Sequence, residues 1–246
     1  LIPLLIVGFG WQHAAVIAGL CCLVLLIAVQ PYRADVDFPA HALSPAAPVH
    51  FLEPYKLIMS HPRLRELAFA SFAYSGMQMC MGSFLVVFLT DRMSLSVGAA
   101  GAALSTAMLA GSVGRVFWGD AADNWLSPRT LLGILGAAMA ASAFVTASMA
   151  ASWPYAVMLL VCFVYGASAI GWNGVYLSEV VRMAPAGKAG SATGASLAMT
   201  YAGVVFLPTL FWLIVHVSGS YAVAFSAAGL FSLWRGSFFF RRSAPC

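Results

Sequence analysis

Apolar stretches of membrane-spanning length constrain this chain more than any other feature of its sequence. A hydrocarbon core about 30 Å thick is crossed by about 20 residues of α-helix. Residues 67–90, 97–114, 130–151, 153–177, 191–216 and 218–234 each form a run of that order without a single Asp, Glu, Lys or Arg. A seventh run, 8–29, follows a short apolar piece, 1–7, that reads as the end of a further helix. Strands of a membrane barrel would alternate apolar and polar positions over about ten residues; these runs do not alternate, so they are helices. With 62% hydrophobic and 8% charged residues and a mean hydropathy of +0.91, the sequence describes an all-α polytopic membrane protein.

The few charges are placed systematically. Lys and Arg collect on the cytoplasmic side of membrane proteins. With the 30–65 segment inside, the inner loops hold Arg33, Lys56, Arg63, Arg65, Arg115, Arg129, Arg182, Lys188, Arg235, Arg241 and Arg242, and only Arg92 falls outside. This asymmetry predicts a cytoplasmic linker and a cytoplasmic C-terminus, and it accounts for the net charge of +4 without nucleic-acid binding. The five cysteines form no C-x-x-C, so neither a disulfide framework nor a zinc site is expected. Residues 1–29 lack the basic leader and cleavage site of a secretory signal. The chain starts at Leu1, inside apolar sequence, which is the expectation for a fragment of a longer protein.

Residues 30–62 carry six of the twelve prolines and read as a linker. Its last part, YKLIMSHPRLREL, mixes Leu57, Ile58 and Met59 with Lys56, Arg63 and Arg65, as a short interfacial helix on an anionic leaflet would. The remaining loops are short, so residues 66–240 are expected to form one six-helix bundle, with 241–246 as a tail. Small residues repeat every four positions at Ala99, Ala103, Ala107 and Gly111, and again at Ala138, Ser142, Thr146 and Ala150. Such stripes let membrane helices approach closely. Residues 3–19 and 208–229 share a Pro-to-Ile-Val pattern leading into a glycine-containing loop, a trace of an internal repeat.

The exception to this oily background is GRVFWGDAADNWLSPR, residues 114–129. An arginine at the bilayer centre costs about 2.5–3.5 kcal/mol even on the gentler insertion scale. Arg115, four residues before Gly119, is expected about 6 Å inside a helix end, where it can snorkel. Asp120 and Asp123 would lie in the turn, with Ser127 capping the next helix, Pro128 at its first position and Arg129 following. Gly119-x-x-x-Asp123, preceded by Gly114-Arg115 and followed by Arg129, resembles the G-x-x-x-D-[RK]-x-x-G-[RK]-[RK] loop of the major facilitator superfamily, in its copy between helices eight and nine. The Gly10-Trp11 stretch is similar to the loop before helix six, and Glu179 with Pro185-x-Gly187-Lys188 to that between helices ten and eleven. Asn124 and Ser127-Pro128 depart from the basic part of the motif.

The resemblance implies a partial major facilitator fold: about seven transmembrane helices, with 1–29 as the end of helix five plus helix six, and 66–240 as the C-terminal bundle. It implies a cytoplasmic latch in which Asp123 meets the start of helix five and Arg115 or Arg129 meets Glu179. Helices one to five would then be a missing partner. It also implies a substrate site at the midplane. Candidates there are Tyr74 and Gln78 (with Ser71 and Ser75) on helix seven, Tyr165, Trp172 and Asn173 (with Ser168 and Tyr176) on helix ten, and Thr200 and Tyr201 (with Ser196) on helix eleven. No Asp, Glu, Lys, Arg or His is expected near the midplane, His13 and His216 being assigned to the outer face, which favours a neutral or weakly polar organic solute. A histidine is missing where an intramembrane serine protease would need one, and metal and nucleotide motifs are absent, so no catalytic residue, metal or cofactor is expected. The reading is therefore a secondary transporter working by alternating access in the lipid bilayer of a bacterial inner membrane, inactive as this piece alone. The alternative is a non-transporting scaffold, sensor or remnant.

Overall fold

The computed structural model describes residues 2–32 and 53–240. Much of the expected linker, including Arg33, and the tail with Arg241, Arg242 and Cys246 lie outside the described residues. The described residues fall into two units, 2–32 and 53–240.

In the first unit, α1 (Ile2–Val29) is one unbroken helix, followed by a 3-10 turn at Gln30–Tyr32. The loop expected at Gly10-Trp11 is not formed. An isolated glycine costs a helix only about 1 kcal/mol, less than leaving backbone groups unpaired in hydrocarbon. His13 consequently stands within the helix rather than beside a loop.

The second unit contains α2 (Glu53–Ser60), α3 (Pro62–Met93), α4 (Val97–Asn124), α5 (Pro128–Ala147), α6 (Tyr155–Met183), α7 (Ala189–Ser218) and α8 (Tyr221–Ser237), closed by a 3-10 turn at Phe238–Phe240. The six helices from α3 onward are long and apolar enough to cross a membrane. Their ends follow local chemistry. Ser96 accepts from the Ala99 amide at the start of α4, and Ser127 from the Thr130 amide at the start of α5, with Pro128 at the first position as expected. Pro62 and Pro154 likewise precede or open helices, where a missing N–H costs nothing. A short helix forms where one was expected before the bundle: α2, which seats Ile58 against Ala68 and Ala195.

The bundle is assembled from three intimate pairs, α4 with α6, α3 with α7, and α5 with α8. The α4–α6 pair uses the predicted small-residue stripe: Ala103, Ala107 and Gly111 are buried. A methyl at Gly166 would strike the carbonyl of Ala107, so only glycine permits this approach. Gly203 plays the same part against the Phe72 carbonyl in the α3–α7 pair. At one end of the bundle Arg92 donates to the Gly219 carbonyl and lies over Tyr221. At the other stand Arg63, Glu66, Arg129, Glu179 and Arg182.

Candidate functional site

Three helices converge on a polar cluster at the middle of α3. Gln78 lies 16 residues after Pro62 and 15 before Met93. Its Oε1 accepts from Asn173 Nδ2 of α6 at 3.3 Å, and both side chains are half-buried. Asn173 Nδ2 also points to the Ile170 carbonyl at 3.5 Å, and that carbonyl accepts from Arg115 Nε of α4 at 3.3 Å. Met108, seven residues before Arg115, has its methyl in van der Waals range of a Cβ built at Gly82, so this edge of α4 faces α3. The cluster therefore holds two amides and a guanidinium joined through one carbonyl. Gln78 has its amide nitrogen and Arg115 its terminal nitrogens still available for a ligand.

The helix around Arg115 is longer than the sequence suggested. Helix α4 does not end near Gly119 but runs to Asn124, so Arg115 lies nine residues, about 14 Å, from the end, and Asp120 and Asp123 are on the helix rather than in a turn. Arg115 itself stands exposed on α4. The signal in the sequence was the continued apolar and aromatic run Val116-Phe117-Trp118 beyond Arg115, with Trp118 donating to the Ala167 carbonyl at 2.8 Å to hold α4 on α6.

The remaining midplane candidates are divided. Tyr74 is buried and donates to the Leu132 carbonyl at 2.9 Å, edge-on to Trp172. Tyr165 is buried with its hydroxyl 2.8 Å from Met77 Sδ, and Trp172 donates to the Ala169 carbonyl at 3.1 Å. All three have their polar atoms engaged inside the bundle. Thr200 joins a second buried group: its hydroxyl lies 3.0 Å from Ser71 Oγ, while Ser75 donates to the Thr200 carbonyl at 2.7 Å, with Ser196 and Tyr176 beside them. Tyr201, next in sequence, is turned about 100° around α7 and stands exposed, apart from the other candidates.

At the charged end, Arg129 pairs with Glu66 at 2.9 Å and donates to the carbonyls of Phe238 and Phe239 at 3.0 and 3.1 Å. Glu179 is buried and pairs with Arg182 at 2.7 Å. Arg129 and Glu179 line one cavity of about 250 Å³ together with Arg63, Arg182 and Ser127. Among the described residues no group of three His, Cys, Asp or Glu could hold a metal ion.

The sequence matches the family model of the Major Facilitator Superfamily over residues 1–208. The chain belongs to that superfamily. Its fold resembles the crystal structure of a variant of the E. coli fucose:proton symporter FucP, with a TM-score of 0.72 at 18% identity, over 95% of this chain and 58% of that one. This facilitator chain thus spans somewhat more than half the length of the symporter it matches. No curated protein matches it.

Within the superfamily chain, the loop residues fall into separate roles. Gly114 packs on the Ala167 carbonyl of α6, whereas Gly119 has open space around its α-carbon. Asp123 is exposed in the last turn of α4 and makes no ion pair among the described residues. Of the two arginines expected near Glu179, Arg129 shares its cavity and Arg115 is elsewhere, held at Ile170. Gly187 turns the chain into α7 with φ of 75°, and Lys188 stands exposed at the N-cap position without a side-chain cap bond. Glu66, which pairs with Arg129, was not singled out from the sequence, because nothing local ties residue 66 to residue 129.

Proposed function

We propose that this chain is the larger part of a secondary transporter that moves a small polar organic solute by alternating access. Gln78, Asn173 and Arg115 form this bundle's share of the solute site. The observation that carries the proposal is the hydrogen-bonded chain from Gln78 through Asn173 and the Ile170 carbonyl to Arg115. The guanidinium supplies a charged donor, and an amide pair beside it supplies orientation. The solute accordingly presents an acceptor, such as a carboxylate or a cluster of hydroxyls, to Arg115. This reading differs from the neutral or weakly polar solute favoured by the sequence because it counts Arg115 into the site. Tyr74, Tyr165 and Trp172 support the site by fixing the helices, and the hydroxyl group at Thr200 joins α3 to α7.

On this reading the Arg129, Glu66, Glu179 and Arg182 cluster is the cytoplasmic gate. Asp123 awaits the start of helix five in the other half, and the linker and C-terminus face the cytoplasm of a bacterium. Proton coupling, as in the fucose:proton symporter, would use a titratable group outside α3–α8. The test is uptake and efflux by the complete transporter, including the sequence upstream of Leu1, with a panel of radiolabelled carboxylates, sugars and polyols. Arg115→Gln and Asn173→Ala should each depress transport of the same solute while membrane insertion is unchanged. Full transport by both variants would sink the proposal and favour the scaffold reading.

A further inference from the structure

One cavity of the bundle lies away from the polar cluster and is almost wholly apolar. It holds about 580 Å³ between α3, α7 and α8 and is lined by Phe72, Met77, Leu207, Phe211, Ala224 and Phe231 among others. Its α7 rim includes Phe206 and Leu210, both exposed, so it opens sideways between α7 and α8. Phe72 and Phe231 meet edge-on at one end of the slot, 6.2 Å between ring centres.

An arginine stands just beyond that end. Arg235 follows Phe231 by one helical turn, and its guanidinium lies 5.2 Å from the ring of Phe69, 5.1 Å from Trp234 and 4.8 Å from Phe238. Its Nε is buried without a hydrogen-bond partner. The carboxylate that acts on it electrostatically is Glu66, which is already paired with Arg129. This leaves a held cation with an unmet donor at the mouth of an apolar slot.

The depth of that cation identifies what would meet it. Phe69 and Arg92 are separated by 23 positions of α3 (69 to 92), about 35 Å of helix rise. Arg92, bound to Gly219 and Tyr221, marks one boundary of the hydrocarbon. A core about 30 Å thick then puts the guanidinium over Phe69 at the opposite headgroup layer. From that level the slot runs inward from Phe72 to Cys80, about 12 Å, most of one leaflet of about 15 Å.

The geometry points to a lipid site: one acyl chain of an anionic phospholipid fills the slot between α3, α7 and α8, and its phosphate is bound by Arg235. Aromatic rings around the guanidinium hold it toward the headgroup layer, as amphipathic side chains are held at membrane boundaries. The site is separate from the Arg115 cluster and stands whether or not that cluster binds a solute.

Native mass spectrometry of the full chain, released from detergent with added dioleoyl phosphatidylglycerol or dioleoyl phosphatidylcholine, tests it. The wild-type chain is expected to hold phosphatidylglycerol about fivefold more tightly, the effect of one interfacial arginine. Arg235→Gln should remove that preference and leave phosphatidylcholine retention as it was. Ala228→Phe, which fills the slot, should weaken both lipids, and it carries the test alone if the arginine variant loses helical content. Soluble glycerol 3-phosphate should not bind. An unchanged phosphatidylglycerol preference in Arg235→Gln, unchanged retention in Ala228→Phe, equal binding of the soluble phosphate, or a lipid-free dimer would each overturn the assignment.

Discussion

Replacing Gly166 by alanine isolates the contact on which the α4–α6 pair depends. The added methyl would collide with the carbonyl and Cα of Ala107, which are backbone atoms and cannot rotate away. The two helices must separate locally, loosening the contacts at Gly111 against Ile170 and at Gly171 against Trp118. Overpacking of this kind costs about 1–3 kcal/mol, against which alanine recovers up to about 1 kcal/mol of helix propensity. The net expectation is a loss of about 1–2 kcal/mol. For a unit of this size that lowers the Tm by about 2–8 °C. Gly119→Ala provides the control, because a Cβ there meets nothing within 4 Å and the propensity gain is uncompensated; its Tm should stay level or rise. Both variants are measured by thermal unfolding of the purified chain in one detergent, followed by circular dichroism. Equal or higher stability of Gly166→Ala would refute the close backbone approach.

Ser127→Ala removes the acceptor for the Thr130 amide and should cost about 1 kcal/mol, visible as a lower melting temperature, whereas Ser152→Ala, at an exposed loop position, should leave it unmoved. Arg129→Ala strands a half-buried Glu66 and two carbonyls, and should destabilise by about 1–3 kcal/mol; Glu66→Gln in the same background should recover part of the loss, and no recovery would disprove the pairing. Single cysteines at Val97 and Lys188, introduced with the native cysteines removed, should react with a membrane-impermeant maleimide from opposite sides of the bilayer, Lys188→Cys from the cytoplasmic side. Labelling from the same side would contradict the alternation of the six helices.

Much of the architecture was legible because hydrocarbon leaves a chain few choices. Each spanning segment must pair its own backbone groups, so uncharged length translates directly into α3 to α8. Ser127-Pro128 marks a helix start through contacts within four residues. The stripe from Ala103 to Gly111 marks a packing face through helical periodicity alone. The same reasoning overreached where it relied on single residues as stops: Gly10-Trp11 did not break α1, and Gly119 did not end α4.

What the sequence by itself determined is the number of membrane helices in the bundle, the position of their caps and the segregation of charge to the bundle ends, all of which depend on neighbours in the chain and on the solvent. Tertiary structure alone decided which side chains meet. Arg115, Asn173 and Gln78 come together across three helices, and Glu66 meets Arg129 across 63 positions (66 to 129). Tyr74 and Trp172 turn inward while Tyr201 turns out. These outcomes follow from how far each helix is rotated and shifted against its neighbours. That is set by small-residue contacts such as Gly166 on Ala107, summed over the whole interface, and no local stretch of sequence carries the sum.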